Sequence, residues 1–165
     1  MICPPGGRGG KVLPLVLMLL LPVSAEADAL VATRDDGTEI ARFDVPEGTG
    51  WCVLWNHSVE GFPVSDCYQN QAGQMVLVQA HLPDFAAGLD HIPGRGRQVS
   101  DGHGGYLILN INEPVPGNAY VLRPGKGSVD HRLQVGEKIV SLSAVAPRER
   151  VRIALSNNQV DDNNN

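Results

Sequence analysis

The chain has 165 residues, with 18 acidic and 13 basic side chains and a net charge of −5. That length suits a single domain, and the acidic balance excludes the basic footprint of a nucleic-acid binder.

The N-terminal stretch MICPPGGRGGK carries Arg8 and Lys11 without an acid and leads into an apolar run from Val12 to Val23. Ser24-Ala25-Glu26-Ala27 then places small residues in the A-x-A arrangement that signal peptidase cuts. Residues 1–27 are therefore expected to be a secretory signal peptide cleaved after Ala27. An uncleaved anchor is disfavoured, because the run is well short of the roughly 20 residues of a membrane span and contains Pro14 and Pro22. No leucine-rich lipobox precedes a cysteine, so no stable membrane anchor is expected after cleavage. Loss of Arg8, Lys11 and Glu26 takes the net charge to about −6. Loss of Cys3 leaves Cys52 and Cys67 as an even pair. The expected location is periplasmic or secreted, where such a pair can oxidise.

Residues 28–156 read as one β domain, because alternating, β-branched segments recur between Gly, Pro, Asn and Asp. ALVATR and EIARFDV flank Asp35-Asp36-Gly37-Thr38, a hairpin signal. WCVLWNHSV follows, apolar on both faces at its start and so expected to be central in a sheet. MVLVQAHL, YLILNI, AYVLR, VDHRLQV, KIVSLSAV and VRIAL continue the series, and no segment has helical periodicity. The fold class is all-β: a two-sheet sandwich or flattened barrel of about nine or ten short antiparallel strands.

The segment WNHSVEGFPVSDC, Trp55 to Cys67, puts His57, Ser58 and Glu60 at the end of an otherwise apolar strand. Polar groups there need partners, because an unsatisfied buried one costs about 1–3 kcal/mol. Alternation places Trp51, Val53, Trp55, His57 and Val59 on one face and Ser58 and Glu60 on the other. His57 and Ser58 then diverge, which weakens a direct Ser–His pair. A Cys52–Cys67 disulfide would contribute roughly 3 kcal/mol. Direct opposition of the two needs a turn centred between Val59 and Glu60, earlier than Gly61 suggests, or a bulge at Gly61. Two inert buried thiols are the alternative.

From Pro83 to Gly105 no strand longer than a few residues is apparent, and a loop this long is usually functional or disordered. Phe85, Leu89 and Ile92 suggest an ordered loop with apolar anchors. Gly94-Arg95-Gly96-Arg97 is a candidate anion clamp, since glycine lets backbone N–H groups approach closely and arginine forks onto carboxylate or phosphate. A solvated surface turn is the competing reading. His103, of the residue type that changes charge near neutral pH, would add a donor. Asp90, His91, Asp101 and His103 match no established metal spacing, no G-x-S-x-G elbow is present, and no metal or cofactor is expected. His131 shares a face with Val129, Leu133 and Val135. It reads first as a satisfied core histidine, or as a group that meets His57 across the core. Residues 157–165 form a polar tail expected to be disordered.

HSVEGFPV followed by an acid, then a strand such as MVLVQAHL, then FAAGLDHIPGRG, resembles the small secreted proteins of domain-of-unknown-function family 1850. The resemblance covers most of the mature domain, roughly from Leu30 to Leu155. It departs at Asp66, where many members carry glutamate, at Cys67, and in the longer glycine-rich loop. It implies an accessory partner of TAXI-type TRAP transporters, with a transporter permease or solute receptor as partner and a small carboxylate as ligand. It assigns no catalytic residue. The expected function is thus a non-catalytic periplasmic binding or accessory module using His57, Ser58, Glu60, Arg95, Arg97 and His103. The alternatives are a small secreted metal-assisted hydrolase, built on His57, His103 or His131, and a purely structural secreted domain.

Overall fold

The computed structural model describes residues 28–82 and 94–156. The expected signal peptide, the stretch holding Asp90 and His91, and the expected polar tail lie outside the described residues.

Eleven strands are present among those described. The first three are β1 (Ala29–Arg34), β2 (Glu39–Asp44) and β3 (Gly50–Asn56). Next come β4 (Pro63–Gln71), β5 (Gln74–Leu82), β6 (Arg97–Ser100) and β7 (Tyr106–Pro114). β8 (Ala119–Leu122), β9 (Arg132–Val135), β10 (Lys138–Ser141) and β11 (Val151–Ser156) complete the set. They form a four-stranded sheet, β2-β1-β11-β8, and a seven-stranded sheet, β10-β9-β3-β4-β5-β7-β6. Every pairing is antiparallel. The all-β, two-sheet sandwich is as expected, and β3 is interior to its sheet as its two apolar faces require.

Two segments differ from the sequence reading. KIVSLSAV is not one strand: β10 stops at Ser141, whose hydroxyl accepts the Ala144 N–H and caps the single helical turn α1 (Leu142–Val145). Leu142 is fully buried there, so a cap and a core contact outweigh strand propensity. PVSDCYQNQ, too polar to read as a strand, becomes β4 because β3 and β5 pair with it on both sides. Pro63 is tolerated as its first residue.

The β3–β4 register runs unbroken from Gly50↔Gln69 to Asn56↔Pro63, with Cys52 opposite Cys67. The two are disulfide-bonded, Cα to Cα 4.1 Å. No bulge is needed at Gly61, whose φ of 75° closes the turn instead.

The main core lies between the sheets. Leu30, Ala32 and Ile153 from one sheet meet Trp51, Val53, Met75 and Leu133 from the other. Burial of large apolar side chains contributes about 1.5–3 kcal/mol each. A smaller cluster of Leu77, Ala80, Tyr106, Ile108 and Ile111 covers the β5–β7 end of the larger sheet, and Tyr68 packs against both clusters. Asn70, fully buried, donates to Asp28 Oδ2 and the Val45 carbonyl and accepts the Gly73 N–H. Asn118 accepts the Met75 N–H and donates to the Gly73 carbonyl, which ties the start of β8 to the β4–β5 turn.

Both ladders of β5 are irregular beside Tyr68. Val78 is skipped between the pairs Cys67↔Gln79 and Tyr68↔Leu77. On its other side, β7 spends Asn110, Ile111 and Asn112 between Leu109↔Gln79 and Glu113↔Leu77. The two asparagines hold φ of 57° and 52°, a conformation asparagine tolerates better than most residues. Such bulges bend a strand and re-aim its side chains. Here they set Ile111 into the small core.

Candidate functional site

The six residues expected to bind fall in three places. His57 is in the turn after β3, not on its face. Its N–H donates to the Phe62 carbonyl at 2.8 Å and its carbonyl accepts the Gly61 N–H at 2.9 Å. Its Nδ1 accepts the Glu60 N–H at 3.2 Å, and its ring stacks on Phe62 with centroids 4.9 Å apart. The imidazole is thus committed to its own turn, while Ser58 and Glu60 are exposed on either side of Val59, which is 81% exposed.

His103 is exposed in the β6–β7 turn, and its backbone N–H donates to Asp101 Oδ1 at 2.7 Å. The β3–β4 and β6–β7 turns sit at the same end of the large sheet, three strand spacings or about 14 Å apart. Arg95 and Arg97 belong to the other end of β6. Arg97 is exposed, and Arg95 donates through Nε to Glu113 Oε2 at 2.7 Å. Asp101 has a second role: its Oδ2 pairs with His81 Nε2 at 2.8 Å. That bond, followed by the His103 N–H, holds the Asp101 carboxyl below the usual range. No group of three His, Cys, Asp or Glu side chains suited to a metal occurs among the described residues.

The groups that do converge are different ones. Between the sheets, Val53, Trp55, Asp66 and Tyr68 of the larger sheet face Tyr120 and Leu122 of β8, with His131 beside them. They enclose a cleft of about 180 Å³. A second cavity of about 210 Å³ also contacts Tyr68 and Tyr120 and reaches Leu77, Glu113 and Pro116. Two stacked pairs supply the walls. Trp55 and His131 lie 5.8 Å apart and within 5° of parallel, and Tyr68 and Tyr120 lie 5.1 Å apart at 16°.

Several polar atoms of this cleft have no partner among the described residues. Asp66 makes no hydrogen bond or ion pair among the described residues, and burial raises its pKa against the opposing charge of Arg95. The Tyr120 hydroxyl is closed to bulk water and has no hydrogen-bond partner among the described residues. Burial, then the neighbouring Tyr68 and Asp66, keeps that phenol protonated far above neutral pH. Tyr68 is raised likewise, by burial first and the Asp66 charge second. The two phenols bias each other's ionisation without reaching hydrogen-bond geometry.

His131 Nδ1 accepts the Gly125 N–H at 3.1 Å, which leaves Nε2 as the protonated nitrogen of the neutral ring and as a donor. Burial lowers the pKa of that ring, with Asp130 opposing. His131 therefore reads as half-satisfied: one nitrogen serves the fold, and the ring lines the cleft.

Wider hollows elsewhere carry less chemistry. One of about 390 Å³ lies beside the disulfide, lined by Gly50, Gln69, Val78 and Gln134 among others. Another, of about 450 Å³, lies among three arginines and three acids, where Arg34 pairs with Glu149 at 2.9 Å and Arg150 with Asp35 at 3.2 Å.

Sequence reasoning passed over Asp66, Tyr68 and Tyr120. The available signal was the period-two register of Val64, Asp66, Tyr68 and Asn70, which puts a carboxyl on the same inward face as a buried valine.

A family model described as Domain of unknown function (DUF1850) matches residues 52–142. The chain belongs to this family. The DUF1850 match takes in β4 to β10 whole and β3 except for Gly50 and Trp51, so it supplies nearly all of the seven-stranded sheet together with β8. Every residue lining the 180 Å³ cleft lies inside the match, and β1, β2 and β11 lie outside it. No curated protein and no solved structure matches the chain.

Proposed function

We propose that this chain is a non-catalytic accessory or binding module, exported to the periplasm, that works with a TRAP-type solute uptake system and takes a small carboxylate. The observation that carries the reading is the inter-sheet cleft, where rings and aliphatic side chains surround polar atoms that the protein leaves unpaired. Small-molecule sites combine an apolar lining with a few such convergent groups. The Tyr68 and Tyr120 hydroxyls, His131 Nε2–H and the nearby Arg95 guanidinium are donors, which suits an anionic ligand. The disulfide fits an oxidising compartment. The transporter association comes from the family resemblance, and β6 and β10, the edge strands of the larger sheet among the described residues, offer the kind of surface on which a partner strand docks.

The test is uptake in a strain lacking the gene. Radiolabelled carboxylate uptake through the TRAP-type permease should fall, and the full chain should restore it while Tyr120→Phe restores it poorly. Unchanged uptake, together with no thermal shift of the purified chain in millimolar carboxylates, would overturn the reading.

A further inference from the structure

Each unpaired group in the cleft constrains the ligand differently. An ionised carboxylate only accepts hydrogen bonds, so Asp66 requires a donor. His131 Nε2–H only donates, because Nδ1 is already occupied by the Gly125 N–H, so it requires an acceptor. Tyr120, whose closed-off hydroxyl has no partner, can meet either. A bare carboxylate would place two like charges side by side at Asp66, where one must take up a proton. A bare amine would leave the imidazole N–H unanswered.

We infer that the cleft takes a small amino-carboxylate, with its ammonium group on Asp66 among the rings of Trp55, Tyr68 and Tyr120 and its carboxylate toward the hydroxyl and imidazole donors. Three rings near one carboxylate favour a cation, since the ring faces carry negative potential. The inference rests on the binding-module reading above and narrows its ligand class.

The experiment uses the full chain purified from an exporting host. The common L-amino acids are screened by thermal shift, and the best is then compared by calorimetry with its N-acetyl derivative and with the acid lacking the amino group. The free amino acid should bind at least tenfold more tightly than either, roughly the loss of one charge-assisted hydrogen bond. Asp66→Asn should erase that preference, and Tyr120→Phe should weaken binding of the amino acid. If the acid lacking the amino group binds as well as the amino acid and Asp66→Asn changes nothing, the inference fails while the carboxylate reading stands. If no carboxylate or amino acid binds at millimolar concentration, both fall. Should Asp66→Asn not fold, the wild-type ligand series and Tyr120→Phe decide the matter.

Discussion

The β3–β4 turn and the inter-sheet cleft each present an imidazole, a hydroxyl and a carboxyl, but their hydrogen bonds go to different places. In the turn, His57 takes the Glu60 N–H and stacks on Phe62, and Ser58 and Glu60 face water. In the cleft, Asp66, Tyr120 and half of His131 have nothing to bond among the described residues. Leaving a buried polar group unpaired costs about 1–3 kcal/mol. In the cleft the Tyr120 hydroxyl is such a group, while Asp66 and His131 are partly buried.

This contrast breaks first where the two regions share their support. The disulfide joins the arms of the hairpin that ends in the turn, and β3 and β4 also carry Trp55, Asp66 and Tyr68 into the cleft. Replacing Cys52 and Cys67 by alanine should cost about 3 kcal/mol in urea unfolding, from loss of a crosslink spanning 15 residues. A cost below about 1 kcal/mol would mean that the ladder alone sets the register.

Gly96 packs against β7 and the small core instead. An added Cβ there would lie 2.7 Å from the Leu109 carbonyl and 2.9 Å from Ile108 Cγ2, at a φ of +69°. Gly96→Ala should therefore cost about 2 kcal/mol, with ligand affinity unchanged. Wild-type stability would show that the close approach does not matter.

His57→Ala acts on the turn alone. It should cost about 1 kcal/mol from the lost hydrogen bond and ring contact, with ligand affinity unchanged. A folded His57→Ala protein that no longer binds would move the site to the turn. Val59→Ser should change stability by less than about 0.5 kcal/mol, because that side chain is 81% exposed. A larger loss would show that the tip packs against something.

Much of the fold could be read from residue order alone. The alternation of ALVATR and MVLVQAHL corresponds to β1 and most of β5, and the midpoint of Cys52 and Cys67 located the hairpin turn. The site was harder to see, because strand endings decide it. His57 counts as a fourth residue on the face of Trp51, Val53 and Trp55 only if β3 continues past Asn56, where it ends. The inward placement of Asp66 is not legible from sequence because PVSDCYQNQ has weak strand propensity and becomes β4 through its neighbours. The Val78 and Asn110–Asn112 bulges that shape the sheet beside Tyr68 depend on pairing partners distant in the chain, which no local pattern encodes.

The most direct test of the cleft needs no ligand. Burial raises the pKa of Asp66 in the folded state, so the folded chain binds more protons than the unfolded one just above the ordinary carboxylate range, and stability falls as pH rises through that window. Denaturant unfolding of wild type and Asp66→Asn should be compared at about pH 3 and pH 7. A site held open for a ligand predicts equal stabilities at the lower pH and a more stable variant at the higher one. A variant less stable than wild type at pH 7 would mean that the protein itself pairs this carboxylate, and that the cleft is part of the scaffold.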